Sequence, residues 1–288
     1  RKPGQHETRD VTVAGHDRNH CCKLNHGDFI MKIVVCVKYV PDTAIKVKIA
    51  SSGTEVDLAD VAFIVNPYDE FAVEEALKLK EKHGGEVVVV AAGSEAATAG
   101  LKACLAMGAD SAILVSDPSL DTADSFVIGS VLAKVCRGLA PDIILFGKHA
   151  IGVDNAQVPA VVAEQLDLPQ ASVVTKLELQ DGKFRAERDI EGAHEIIEGS
   201  LPAVITAQKG LNTPRYASLK GIMASKKKQI DMRPLNSLGL PEEALKPRIA
   251  VLAVTLPPAR PPGKILRGEV AEVVPQLVKL LHEEANII

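Results

Sequence analysis

From residue 32 onward, short apolar runs alternate with longer amphipathic stretches, and that alternation leaves few folds open. Lys32–Val37, Glu86–Ala92, Ser111–Val115 and Asp142–Phe146 have strand length and are rich in Val and Ile. Between and after them, Asp69–Lys82, the segment from Ser94 to Met107, Asp121–Leu139 and Ala156–Gln165 carry apolar residues at helical spacing. Acids open the first helix and Gly84-Gly85 closes it; Ser94 stands as N-cap of the second and Gly108 as its stop. Strands without a polar face must be covered on both sides, so the repeat predicts βαβ units and a doubly wound, mostly parallel sheet. Composition agrees: 47% of the residues are hydrophobic but only 3% aromatic, with no Trp.

After Pro169 the texture changes. Ala171–Leu179, Lys183–Ile190 and His194–Glu198 read as antiparallel strands, with Gln180-Asp181-Gly182 as a hairpin turn. Pro202–Ala207 returns to the main sheet. Beyond Gly210 the chain is Pro- and Lys-rich until a last amphipathic helix, Glu269–Glu284. This tail lacks a core of its own and is expected to wrap a partner. Residues 1–30 hold four of the eight His, show no strand or helix period, and lack the apolar stretch of a signal peptide. The expected division is therefore 1–30 as a disordered extension or non-native leader, 31–210 as an α/β domain, and 211–288 as a C-terminal arm.

Several classes are disfavoured. A formal charge of −4 sets up no basic field for nucleic acid. No apolar run approaches the roughly 20 residues of a membrane span. The five cysteines form no CxxC and suit a reducing compartment, and His20, Cys21, Cys22 and His26 match no familiar zinc spacing, so no metal is expected. The fingerprint GxGxxG is missing after the first strand, as are GxxxxGK[ST] and a nucleophile elbow.

In such a sheet, ligands bind beyond the carboxyl ends of the strands. Four segments occupy those ends: Cys36–Thr43, Asn66–Glu70, Ala92–Ser94 and Gly147–Gln157. Three run straight into a helix N-terminus, which offers N–H groups and a positive dipole end to a phosphate. The last is the richest. Its two glycines permit close backbone approach, Asp154 and Asn155 can cap the helix or bind ribose hydroxyls, and Gln157 can reach a phosphate or ribose. A capped loop holding no ligand is equally compatible with these residues.

Four stretches, in order, resemble the beta subunits of electron-transferring flavoproteins: Met31-Lys-Ile-Val-Val-Cys-Val-Lys-Tyr-Val-Pro-Asp-Thr, Asn66-Pro-Tyr-Asp-Glu-Phe-Ala-Val-Glu-Glu-Ala-Leu, Ala103-Cys-Leu-Ala-Met-Gly-Ala-Asp, and Pro214-Arg-Tyr-Ala-Ser-Leu-Lys-Gly-Ile-Met with Lys226-Lys-Lys after it. The match runs from Met31 to the C-terminus. It implies a Rossmann-like fold and a heterodimer whose alpha subunit holds most of the redox FAD, while the beta subunit binds a structural AMP. By position the AMP contacts fall on Cys36, Asn66, Pro67, Tyr68, Asp69, Ala92, Asp154, Asn155, Ala156, Gln157 and Val158. The resemblance also implies a docking loop for acyl-CoA and other dehydrogenases around Leu219, with Tyr216, Ile222 and Met223. Electrons would pass on to a quinone oxidoreductase or another acceptor, in the bacterial cytoplasm or, for a eukaryotic chain, the mitochondrial matrix. No catalytic residue is expected in this chain.

One branch of the family bifurcates electrons and carries a second FAD in place of AMP. The opening motif and Asp154-Asn-Ala-Gln-Val resemble it. Pro159, where that branch has Gly, and Ser125-Phe-Val-Ile, where it is Thr-rich, point to the simple carrier, as does Leu256-Pro-Pro-Ala-Arg. The rival from another class is an adenine-nucleotide-processing enzyme, such as an adenylating ligase. A phosphate loop after the first strand would mark it, and Val37-Lys-Tyr-Val-Pro-Asp does not provide one. A stand-alone nucleotide-sensing module is the third reading, and the long tail speaks against it.

Overall fold

Residues 7–12, 31–44, 46–260 and 262–288 are described by a computed structural model of the chain. They fall into two units: the residues up to Lys46 with Leu58–Leu252, and Val47–Asp57 with Ala253–Ile288.

The larger unit contains strands β1 (Glu7–Thr12), β2 (Lys32–Cys36), β3 (Tyr39–Pro41), β4 (Phe63–Val65), β5 (Glu86–Gly93), β6 (Ser111–Ser116), β7 (Ile143–Gly147), β8 (Gln170–Val174), β9 (Lys176–Gln180), β10 (Lys183–Ile190), β11 (Ala193–Ser200), β12 (Ala203–Ala207) and β13 (Ile230–Pro234). Its helices are α1 (Pro67–His83), α2 (Thr98–Met107), α3 (Ser125–Leu139), α4 (Val158–Leu166), α5 (Leu219–Ser225) and α6 (Glu242–Leu245). Seven strands form one parallel sheet in the order β13-β6-β5-β2-β7-β12-β8. The chain starts in the middle at β2, steps outward to β6, and then crosses to β7 on the other side. Strand order therefore reverses between β2 and β7.

Neighbouring residues along each strand feed opposite layers. Ile33, Val35, Val87, Val89, Leu114, Ile143, Leu145 and Ile205 pack under α1 and α2. Val34, Val88, Val90, Ile113, Val115, Ile144, Phe146 and Val204 pack under α3 and α4. Each such buried side chain contributes about 1.5–3 kcal/mol, so every central strand reads as a continuous apolar run. Cys36, Cys104 and Cys136 are buried in these layers as small hydrophobes.

Local chemistry sets the ends. Gly84, at φ 76°, closes α1, and its N–H donates to Lys80 O. Asp124 caps α3 by accepting from Val127 N–H at 2.9 Å. The expected helix from Asp121 is shorter, because Pro118–Asp121 forms a 3-10 turn ahead of that cap. Ser94 likewise leads into a 3-10 turn, Glu95–Ala97, before α2.

Four further differences have physical causes. The expected strand over 171–179 is two strands in two sheets. Val173 takes φ 62°, its N–H donates to Thr206 Oγ1 at 2.7 Å, and the pairing with β12 shifts there. A β-branched residue in that region marks a sharp break that apolar spacing does not reveal. Second, β3 and β4 pair antiparallel where irregular chain is expected. Third, Glu7–Thr12 forms a strand paired in parallel with β11, so that part of 1–30 is strand; His20, Cys21, Cys22 and His26 lie outside the described residues. Fourth, the tail does not leave the domain at residue 211. β13 joins the sheet beside β6, and Leu235, Leu238, Leu240 and Leu245 pack on the α3 layer. The antiparallel sheet, in the order β1-β11-β10-β9, keeps the predicted hairpin at Asp181-Gly182.

The smaller unit pairs Ile49 with Val56, and Val254 N–H donates to Gly53 O. It ends in α7 (Val270–Glu283), whose Val270, Val274, Leu277 and Val278 are exposed. No helix among the described residues is long and apolar enough to cross a membrane.

The packing makes two opposite glycine predictions. Gly138, on the exposed side of α3, has open space around an added Cβ, so Gly138→Ala should stabilise by about 0.5–1 kcal/mol. At Gly147 an added Cβ would lie 2.4 Å from Asp69 Oδ1 and 2.6 Å from the Tyr68 carbonyl carbon, so Gly147→Ala should destabilise by about 1–3 kcal/mol or more. Denaturant midpoints of the two variants check both signs.

Candidate functional site

The crevice between the ends of β2 and β7 is where this topology leaves room for a ligand. Its walls are held by one buried pair at the start of α1. Asp69 Oδ2 accepts from Lys38 N–H at 2.7 Å; Asp69 Oδ1 accepts from Gly147 N–H at 3.0 Å and from Asn66 Nδ2 at 2.9 Å. Asn66 reaches further, donating to His149 O at 2.9 Å and accepting from Ile151 N–H at 3.2 Å. Two side chains thus tie the loop after β2 to the loop after β7. Gly147 is required because α1 approaches the backbone there more closely than a Cβ allows.

Burial drives the Asp69 carboxyl from its ordinary 3.8 up to about 7, against the N–H donors of Lys38, Asn66 and Gly147 and the Lys38 charge. Cys36, in the α3-side layer, has its thiol raised well above the usual range by burial and by Cys136. Its side chain is therefore inert core, and only its backbone lies at the strand end.

The loop after β7 is exposed and unusually folded. Gly152, Asp154 and Ala156 all have positive φ, at 85°, 52° and 53°. Val153 and Asp154 N–H groups turn back to Ala150 O, and Asp154 Oδ1 meets His149 Nε2 at 3.0 Å. Asn155 Nδ2 donates to Ser125 Oγ at 2.7 Å, which pins the loop to the start of α3. The His149 ring stands edge-on to Tyr68 at 4.7 Å, and Lys148 Nζ lies 4.6 Å above the Tyr68 ring. Several of the loop's N–H groups are used inside the protein: Val153 and Asp154 donate to Ala150 O, Ile151 to Asn66, and Gln157 to Asn155 Oδ1 at 3.4 Å.

The helix starts around the crevice are not equivalent. The α1 start carries Asp69 and Glu70. The segment after β5 is tied down where Ser94 N–H donates to Asp121 Oδ1 at 2.8 Å, and Glu95 follows. At α3, Asp124 already occupies the end: beyond Val127 it accepts from Arg248 and Ile249 N–H groups. Burial acts upward on Asp124, but these donors and that of Phe126 outweigh it and hold the carboxyl below its ordinary value. The α4 start has neither a side-chain cap nor an acid in its first turn; the same is true of α2, but the 3-10 turn Glu95–Ala97 precedes that helix directly. The Val158 and Ala160 N–H groups of α4 have no side-chain cap, while Pro159 at the second position contributes no donor.

Asn66, Tyr68 and Asp69 therefore lie together with Gly147 and His149, Asp154 touches His149 and Asn155 reaches Ser125, while Cys36 is buried, Pro67 and Ala92 are half-buried, and Ala156 and Gln157 are exposed. Asn66 and Asp69 hold the walls together, a role their position alone does not reveal. Sequence reasoning missed Gly147 as a packing requirement and Ser125 as the loop's anchor. Elsewhere on the unit, Leu219 opens the short helix α5 and is not in a loop. Ser218 caps that helix by accepting from Gly221 N–H at 3.0 Å. Tyr216, Leu219 and Met223 are exposed by 98%, 82% and 69%, with Ile222 beside them at 40%.

Sheet order, two-sided covering and the crevice at the reversal point define a doubly wound, Rossmann-like α/β protein. The family model "Electron transfer flavoprotein domain" matches residues 55–238. The chain is 43% identical over 259 residues to the electron transfer flavoprotein subunit beta of Bacillus subtilis, covering 90% of this chain and all of that one. It is 36% identical to the Sus scrofa beta subunit, over 89% of this chain and 99% of that one. At the same identity it matches the caffeyl-CoA reductase-Etf complex subunit CarD of Acetobacterium woodii, over 88% and 99%. The chain belongs to the electron transfer flavoprotein family, among its beta subunits. Membership carries a role in electron transfer within a complex that has FAD and in which a beta subunit pairs with an alpha subunit.

The Asp69 environment fixes a pH dependence. Folded Asp69 keeps its proton up to about pH 7, whereas in the unfolded chain it ionises near 3.8. Its contribution is complete below the unfolded value and is lost as pH rises to the folded one. Stability relative to Asp69→Asn, which cannot titrate, should fall by roughly 2 kcal/mol between pH 5 and 7 and level off above. Paired thermal melts across that range test the sign.

Proposed function

We propose that this chain is the beta subunit of a simple, non-bifurcating carrier, with an AMP in the crevice between β2 and β7. The observation that carries the reading is the uncapped α4 start beneath the left-handed loop 152–156, at the point where the strand order reverses. The phosphate lies against the uncapped Val158 and Ala160 N–H groups. Asp154, Asn155 and Gln157 are within the same loop to meet ribose hydroxyls, and the backbone at Cys36 and Ala92 borders the base. AMP there has no chemistry to perform; it fills a gap between loops that Asn66 and Asp69 already bracket.

FAD, shared with the alpha subunit, supplies the redox chemistry when bound. This chain's residues position and shield. The exposed apolar set Tyr216, Leu219, Ile222 and Met223 docks a dehydrogenase of the acyl-CoA type, because one projecting Leu among polar neighbours can seat in a partner's pocket. The exposed face of α7 and the chain around it hold the alpha subunit. Electrons leave for a quinone oxidoreductase or another acceptor, which gives the carrier a place in fatty acid β-oxidation in a bacterial cytoplasm or a mitochondrial matrix.

The second reading keeps the crevice and puts a second FAD in it; likeness to a subunit of the caffeyl-CoA reductase-Etf complex favours it. Against it stands Pro159, which removes a donor where a diphosphate needs more of them. Released nucleotides from the purified heterodimer decide between the two. One FAD and one AMP are expected, two FAD would support the rival, and ATP turnover by the chain would point to an enzyme. Ala156→Val should strip AMP while FAD remains, since a β-branched residue at φ 53° costs about 1–3 kcal/mol.

A further inference from the structure

The docking set is carried on a strap that has little core of its own. Thr213 and Tyr216 are exposed, and α5 has only seven residues. Its near end is fixed to α1 by an ion pair and by hydrogen bonds. The Arg215 guanidinium sits between two carboxylates seven residues apart on one face of α1. Arg215 Nε and Nη2 donate to Glu74 at 2.8 and 2.9 Å; Nη1 and Nη2 donate to Glu81 at 2.6 and 3.2 Å. The Arg215 backbone N–H also donates to Glu74, at 3.1 Å. Three residues earlier, Asn212 Nδ2 donates to Phe71 O and to Glu75 Oε2, both at 2.9 Å. On the far side, α5 rests on α2 so closely that a Cβ at Gly221 would lie 2.2 Å from Ala106 O.

Glu74 is almost fully buried, yet no partner within its own helix neutralises it; Arg215 does. A forked guanidinium bonding two carboxylates fixes orientation as well as distance, which an ammonium cannot reproduce. The contact with Arg215 also holds the Glu81 carboxyl below its ordinary value.

We propose that Arg215 is the positioning residue of the dehydrogenase-docking surface. Its fork across Glu74 and Glu81 pre-orders the strap, so that Tyr216, Leu219 and Met223 are presented without an ordering cost at each encounter. This rests on the reading of that surface given above. A strap that must be ordered on binding weakens association without altering the transfer step that follows. Arg215 therefore acts on KM and leaves kcat alone.

The test uses the full heterodimer as electron acceptor for a purified acyl-CoA dehydrogenase, with its concentration varied. Arg215→Ala should raise KM for the carrier by about tenfold, the loss expected when pre-ordering is removed, with kcat, FAD and AMP content unchanged. Arg215→Lys, which can serve one carboxylate at a time, should fall between. Glu81→Gln, at an exposed site that does not threaten folding, should raise KM by about two- to threefold. Amide exchange over residues 216–223 should quicken in the same order. Leu219→Ala separates the two claims. If Leu219→Ala raises KM while Arg215→Ala and Glu81→Gln do not, the positioning role is overturned alone. If Leu219→Ala leaves KM unchanged, the docking reading fails and takes the positioning role with it.

Discussion

One buried carboxylate holds this architecture's working end together. Asp69 accepts three N–H groups, from the loop after the first sheet strand, from the loop after the fourth, and from Asn66 beside it. A parallel sheet whose strand order reverses leaves a gap at that point, and two loops that diverge there need something to fix their separation. A carboxyl group suits the task because all three partners are donors and its two oxygens can accept them with the proton on or off. Asparagine in its place would point an N–H₂ group at another donor. The cost is a charge taken out of water, and the protein meets it by letting the group hold its proton to about pH 7.

With the walls fixed, the helix ends around the gap take different tasks. Three are already occupied or acidic: Asp69 and Glu70 at α1, Asp121 and Glu95 after β5, and Asp124 at α3, where the chain at Arg248 and Ile249 is fastened. The fourth, α4, keeps its N–H groups and dipole for something else. That start is the proposed seat of an anion, next in the chain to a loop whose Gly152, Asp154 and Ala156 take left-handed backbone. Of these only Ala156 is strained by a left-handed backbone, and that strain is what motivates the proposal of a ligand. Helix α1 then links this end to the strap that carries Leu219, because its next turns carry Glu74, Glu75 and Glu81, which hold Asn212 and Arg215.

Much of this was legible from residue order alone. Two-sided burial made the central strands into unbroken apolar runs, and four strand-end segments followed from topology. What stayed hidden was everything set by long-range contacts. The break at Val173 depends on Thr206, 33 residues away. The return of β13 to the sheet depends on an edge left open by β6, and its sequence, Ile-Asp-Met-Arg-Pro, looks like tail. Asn66 and Asp69 stand at a strand end, where a ligand contact is expected; that they also brace two loops rests on partners up to 85 residues away. Likewise Arg215 reads as one charge in a polar stretch until its carboxylates are seen 141 and 134 residues earlier.

The central claim is that the nucleotide lies in the crevice between β2 and β7, against the start of α4. Amide exchange on the heterodimer, stripped of its bound mononucleotide and then resupplied with AMP, tests it directly. The account predicts that added AMP slows exchange at residues 36–38 and 148–161 while the β9 to β11 sheet is unaffected. Protection that appears elsewhere in the chain, with residues 148–161 unchanged, would contradict it.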